Sequence, residues 1–162
     1  MRQSNTGTVA AMTPGDLHQH LLASMPAVVG IAAVGPWEQR PFGLVVTMAS
    51  GGCSYWMVTG ASGVAPAPAK DAPPLEPLPV PDFPPGKVPL ALVEQALLAV
   101  AMQGGQAVSR VDRYSTKDVP PAVCFGANID YSDDNWRLFL SAVGTSPGPG
   151  DRLRPVSPSS EV

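Results

Sequence analysis

His18 and His20 are the only two histidines in the chain. Histidine is the side chain best placed to act as a general base near neutral pH, and it is a common metal ligand. Two positions apart on a helix, the pair points to opposite sides, so a single ion cannot bridge them. No thiolate or carboxylate cluster lies nearby in sequence, and spacing pairs neither ring with a nucleophile. The plain reading is two solvated helix residues. Cys53 precedes a strand-like run and Cys124 lies within one. Without a basic neighbour or a Cys-x-x-Cys spacing, neither reads as an activated thiol, and whether the two pair is left open. Two cysteines are too few for a disulfide framework or a structural zinc site. Asp130, Asp133 and Asp134 supply several oxygens within five residues, as a calcium loop would. Their spacing is not that of an EF-hand, and Asp and Asn are ordinary turn formers. The chain is therefore expected to carry no catalytic constellation, no metal site and no cofactor.

Two further motifs lose their chemistry in context. Val58-Thr59-Gly60-Ala61-Ser62-Gly63 resembles the nucleotide-binding glycine motif of short-chain dehydrogenases. That motif works by presenting a helix N-terminus to a pyrophosphate. Here Pro66 and Pro68 prevent the helix, and Ala65 stands in place of the third glycine. Tyr114 and Lys117 are one residue too close for the family's Tyr-x-x-x-Lys pair. Pro-x-x-Pro spacing between Pro73 and Pro81 suits aromatic grooves, but no arginine flanks it to set orientation, so a spacer is the simpler reading.

Aromatic residues are scarce but grouped: Trp37, Phe42, Tyr55, Trp56, Tyr131 and Trp136. Tyr and Trp join an apolar body to a polar tip and are frequent in ligand sites and interface cores. Trp37, Tyr55, Trp56, Tyr131 and Trp136 are therefore the candidates for binding a ligand or partner. Core packing is the competing role for the tryptophans, since Trp136, Leu138, Leu140 and Ala142 share one face of a strand.

The elements that would position these residues fall into two similar halves. Thr13 is a plausible N-cap, followed by Pro14 and Asp16, and Leu17, Leu21, Leu22 and Met25 form a stripe that Pro26 ends. Strand-like runs follow at 27–34, 42–49 and 54–61, the last two joined by the turn Ser50-Gly51-Gly52-Cys53. The second half begins with a helix from about Pro89 to Gln103, stopped by Gly104-Gly105. Its strand-like runs are 107–114, 122–131 and 136–143, with Ser132-Asp133-Asp134-Asn135 as the last turn. Leu17–Ala23 aligns with Val93–Ala99 at an offset of 76, with four of seven positions identical. The expected fold is α+β, an αβββ unit used twice, with antiparallel strands, two helices on one face and an internal duplication behind the pattern.

Half of the chain's 20 prolines lie between Val64 and Pro89. Proline fixes φ and lacks a donor, so this stretch reads as a polyproline-II spacer between the halves. The expected organisation is a mobile start over 1–7, a first half over 8–63 and a linker over 64–88. A second half over 89–145 and a disordered tail over 146–162 complete it.

Charge and hydropathy exclude several partners. With 10 basic and 13 acidic residues the net charge is −3, and no basic surplus exists for nucleic acid. Only 14% of residues are charged, against about 25% in a typical chain. No apolar run reaches the ~18 residues of a membrane span, and the first fifteen residues lack the apolar core of a signal peptide. The cytoplasm is the expected compartment.

Runs 27–34 and 42–49 do not alternate, and the second helix is apolar almost all round. Both faces of the sheet are therefore expected to be covered, one by the helices and the other by a second copy of the chain.

The helix–three-strand repeat resembles the βαβββ unit of the vicinal-oxygen-chelate superfamily, and Asp133-Asp134-Asn135-Trp136-Arg137-Leu138 is similar to the end of that family's repeat. Its catalytic members place His and Glu metal ligands on strands. Here both histidines fall on a helix and 111–143 holds no Glu, so the resemblance implies at most a binding-only relative. The order of elements is also similar to that of small secretion chaperones, which dimerise and bind unfolded segments. Fold alone does not fix function. The expected function is a non-catalytic interaction or assembly module, acting as a homo-oligomer or an accessory subunit. The alternative is a cofactor-free enzyme or carrier with an aromatic pocket near Trp56 and Trp136 for a small hydrophobic ligand.

Overall fold

Helix α1 (Pro14–Ser24) begins where its capping chemistry predicts. The Thr13 hydroxyl accepts the Asp16 N–H at 3.1 Å, and the Asp16 carboxylate accepts the Thr13 N–H at 3.1 Å. This reciprocal box satisfies two donors that the first turn would otherwise leave open. The computed structural model describes residues 12–62, 75–104, 108–119, 121–131 and 136–162. After α1 come a 3₁₀ turn (Met25–Ala27), β1 (Ile31–Trp37), β2 (Gly43–Met48) and β3 (Cys53–Ser62). Helix α2 (Leu90–Ala101), β4 (Val108–Arg113), β5 (Gly126–Tyr131) and β6 (Trp136–Ser146) complete the order.

The fold is α+β: two helices and one six-stranded antiparallel sheet in the order β1-β2-β3-β6-β5-β4. Strands β3 and β6 meet at the centre and pair from Cys53–Ser146 to Ser62–Trp136. The order is unchanged when the two sets of three strands are exchanged. Val143 is an extra residue in β6, because Tyr55 pairs with Gly144 while Trp56 pairs with Ala142. Such a bulge bends the strand locally.

Strand β1 starts later than the 27–34 run suggests. Pro26 belongs to the 3₁₀ turn, and Gly30 takes a φ of 96°, which turns the chain before pairing begins. The strand then continues through Pro36, which an edge strand tolerates because it has one unpaired side. Strand β5 begins at Gly126, so Cys124 lies just before it rather than within it.

Leu17 and Leu21 of α1 and Leu90, Val93 and Leu97 of α2 share one core with Leu44, Val46, Trp56, Val58, Ile129, Leu138 and Leu140. These strand residues alternate along their strands, so both helices cover the same face. Burial alternates along β2, where Leu44, Val46 and Met48 are buried and Val45 and Thr47 are not. Ala32 and Ala33 are exposed, and Val45 and Thr47 are only half-buried. A short side chain on such a face adds little apolar area.

Of the proline-rich stretch 64–88, residues 75–88 are described and form no helix or strand. They lie along the protein body. Leu78 and Phe83 pack on the core, and Gln95 donates from Nε2 to the Pro79 carbonyl at 2.9 Å. The expected mobile start over 1–7 and the turn at 132–135 lie outside the described residues. The expected tail over 146–162 is different from a disordered end. Thr145 and Arg154 exchange backbone hydrogen bonds at 3.1 and 2.7 Å, and Val162 is buried. Its prolines do not free the segment, because backbone pairing uses the residues between them.

Candidate functional site

One face of the sheet points away from both helices. Val45 on β2, Met57 on β3, and Phe139 and Val143 on β6 lie on it, all half-buried. Register makes them neighbours: Val45 pairs with Tyr55, two residues from Met57, and Met57 pairs with Ser141, two residues from Phe139. Diagonal neighbours of this kind touch when side chains are long. The result is an apolar stripe across β2, β3 and β6, interleaved with Thr47, Thr59 and Ser141.

The stripe has a polar border on the β4–β5–β6 side. Arg137 donates to both carboxylate oxygens of Asp130, from Nε at 2.7 Å and from Nη2 at 2.9 Å. Asp130 is 2% exposed, so the guanidinium roofs it. That hydrogen bond raises the Arg137 pKa above its ordinary value, against the opposing effect of burial. Tyr114 donates its hydroxyl to Asn128 Oδ1, and Lys117 pairs with Asp112 at 3.1 Å. Partial burial, helped by the Asp112 charge, holds the Tyr114 phenol above its ordinary pKa of 10.0. Arg110 is exposed beside them.

The opposite border is aromatic. Trp37 and Tyr55 lie with ring centroids 5.2 Å apart, and Arg40 sits 5.6 Å from the Trp37 ring. Gly43 pairs with Trp37 and leaves no side chain in that corner. Cys53 and Leu153 complete this small second cluster. The Tyr55 hydroxyl shares a hydrogen bond of 2.8 Å with Ser146 Oγ, which donates to the Gly148 carbonyl.

The four candidate aromatics whose side chains are described fall on two faces of the sheet. Trp56 and Tyr131 are buried in the core under the helices, 0% and 1% exposed. Trp56 donates from Nε1 to Ser54 Oγ at 2.8 Å. Trp37 and Tyr55 lie on the other face, and the side chain of Trp136 is outside the described residues. Surface grooves of about 310 to 420 Å³ are lined by other residues, chiefly of the 145–162 segment and the 83–88 stretch.

The histidines are not simply solvated. Each donates from Nε2 to a carbonyl, His18 to Gly43 at 2.8 Å and His20 to Val100 at 2.7 Å. A carbonyl only accepts, so both rings carry their proton on Nε2. His18 ties α1 to β2, and His20 ties α1 to α2. Cys53 and Cys124 are both free thiols. Among the described residues, no group of three or more His, Cys, Asp or Glu side chains is placed to hold a metal. Asp130 is committed to Arg137, while Asp133 and Asp134 lie outside the described residues.

Sequence reasoning missed Glu94. It is fully buried on α2 and accepts from Arg113 Nε at 2.8 Å and from the Gly126 N–H at 2.8 Å. The Ser115 hydroxyl and N–H donate to it as well. A lone acid in an otherwise apolar helix is the available signal, because a buried carboxylate must be paired. Its partners come from the β4–β5 hairpin and are invisible locally. Gly126 is needed there: it takes a φ of 132°, and an added Cβ would lie 1.9 Å from the Leu140 carbonyl oxygen. Met57 and Phe139, diagonal neighbours across β3 and β6, were not singled out because strand register is not visible locally.

No helix among the described residues is long and apolar enough to cross a membrane. Comparison of the chain with protein-family models, with curated proteins and with solved structures finds no match.

Proposed function

We propose that the protein is a non-catalytic interaction module that buries its open sheet face against a second copy of itself. The observation that carries this reading is the stripe of Val45, Met57, Phe139 and Val143, half-buried and facing away from both helices. Removing apolar area from water is worth roughly 25 cal/mol per Å², so a covered stripe is favoured over a wet one. The surroundings suit a protein partner. An apolar centre with a polar rim is the usual anatomy of an interface. The rim carries Arg110, the Lys117–Asp112 pair and the Arg137–Asp130 pair. The two-fold character of the strand order supports duplication of an αβββ unit as the origin of the sheet. The same surface would serve an accessory subunit if a different chain took the place of the second copy.

Light scattering across micromolar concentrations tests the reading. The expected result is a species of twice the 16.8 kDa chain mass or more. Phe139→Asp, alone or with Met57→Asp, places charge in the stripe and is expected to return the mass to 16.8 kDa with the fold intact by circular dichroism. A wild-type chain that stays monomeric, with no protein co-purifying, would remove the support.

A further inference from the structure

Residues 155–162 leave the open face and cross the end of the sheet to the helix side. Leu153 packs in the small cluster beside Trp37 and Tyr55, whereas Val156 and Val162 pack on the main core. The strap is then held by main chain. Val88 donates its N–H to the Val162 carbonyl at 2.6 Å, Val162 donates to the Val88 carbonyl at 2.8 Å, and Leu90 donates to the Ser160 carbonyl at 3.0 Å. Pro89 and Glu161 face each other between these bonds as an antiparallel pair.

This seat does a job for α2. The helix has no side-chain cap, and Leu90 is its first residue. The first N–H groups of a helix have no partner inside it. The Ser160 carbonyl supplies one, so the strap caps α2 with a strand rather than with a side chain. Gly52 makes room for it, since an added Cβ would come within 2.8 Å of the Val162 main chain.

The connection to the rest of the chain is short and weakly tied. Arg154 is fixed to Thr145, and Ser160 is fixed to Leu90. Between them lie Pro155 and Pro158, neither of which has an N–H to pair. The local bonds there are those of a turn, Ser157 N–H to Ser160 Oγ at 2.8 Å and Ser160 N–H to the Ser157 carbonyl at 3.0 Å. With that turn open, the five residues between Arg154 and Ser160 span at most about 17 Å.

We propose that the strap exchanges: residues 155–162 of one copy occupy the seat at Val88–Leu90 of a second copy. The seat makes the same backbone bonds and buries the same Val162 side chain in either arrangement. What differs is the connection over 155–159, including the Val156 contact with the core, and a short proline-bearing hinge favours the extended form. This deepens the reading of the protein as a homo-oligomer and rests on it, because exchange needs a second copy held nearby.

The test uses the full chain with Pro89→Cys and Glu161→Cys, which face each other across the seat. After mild oxidation, denaturing electrophoresis without reductant reads where the bond formed. Exchange predicts that most of the chain runs at twice its mass, and that neither single variant does so; each single variant also carries Cys53 and Cys124 and controls for them. A disulfide formed within one chain, in protein that light scattering shows to be dimeric, overturns exchange and leaves the assembly reading standing. An intrachain bond in a monomer overturns both.

Because Pro89→Cys alters the seat, the wild-type chain supplies a second measurement. Lys87 and Glu161 line one groove. Unlabelled and nitrogen-15 chains, mixed and refolded together, are coupled with a carbodiimide. Exchange predicts mixed-isotope Lys87–Glu161 peptides at about half of the coupled product. Coupled peptides of single isotopic origin only would overturn it.

Discussion

Tyr114 shows what a half-buried phenol does to stability at alkaline pH. Burial, and the Asp112 charge near it, disfavour the phenolate in the folded protein. The unfolded chain ionises near the ordinary pKa of 10.0. The folded pKa is the higher of the two, so the unfolded state loses its proton first as pH rises. Stability from this group is complete below pH 10 and is lost as pH climbs towards the folded value. Denaturant melts between pH 9 and 11.5 are expected to show this falling limb, and Tyr114→Phe to flatten it. A limb unchanged in the Phe variant would place its cause elsewhere. At this scale the sequence was partly legible. Alternation put Leu138, Leu140 and Ala142 on one face, and they are on the core side with Trp56. The partners of His18 and His20 were not legible, because both are backbone carbonyls, which carry no residue signature.

Glu94 joins two elements that share no backbone pairing, α2 and the β4–β5 hairpin. Its donors span Arg113 at the end of β4, Ser115 in the connection and Gly126 at the start of β5. Glu94→Gln keeps the size but removes the charge, leaving Arg113 without its anion and turning an amide N–H₂ towards donors. Removing one partner of a buried pair costs about 3–5 kcal/mol, and the lower end applies because Arg113 is 18% exposed. The expected result is a fall in the urea midpoint by about 3 kcal/mol in stability, with an unchanged slope. A loss below roughly 1 kcal/mol would mean that the hairpin is held by its strand pairing alone. Elements were the most readable level of the sequence. The Thr13–Asp16 box and Pro14 start α1 by local chemistry, and local chemistry is what a sequence displays. The start of β1 was misplaced because an apolar run over 27–34 hides a 3₁₀ turn and the positive φ of Gly30. The strap was missed for the complementary reason: its prolines are local and conspicuous, while its backbone bonds to Val88 and Leu90 are distant in sequence.

At the scale of the whole molecule, the sheet order decides which amides are safest from solvent. Strands β3 and β6 are paired on both sides, whereas β1 and β4 each have one free edge among the described residues. The antiparallel sheet with two helices followed from pattern, whereas which side chains face away from the helices depends on register. Side-chain size along a strand reports the room available, not what lies above it. Hydrogen exchange reads both facts at once. Amides of β3 and β6, such as Val58 and Leu140, are expected to exchange most slowly, and those of β1 and β4 several orders faster through local opening. A face-to-face dimer through Met57 and Phe139 buries side chains and leaves strand edges unpaired. It therefore slows exchange at the centre with rising concentration but leaves β1 and β4 fast. Protection of β1 or β4 that rises with concentration would instead mean that copies join edge to edge, by extending the sheet, and the open face would lose its claim to be the contact.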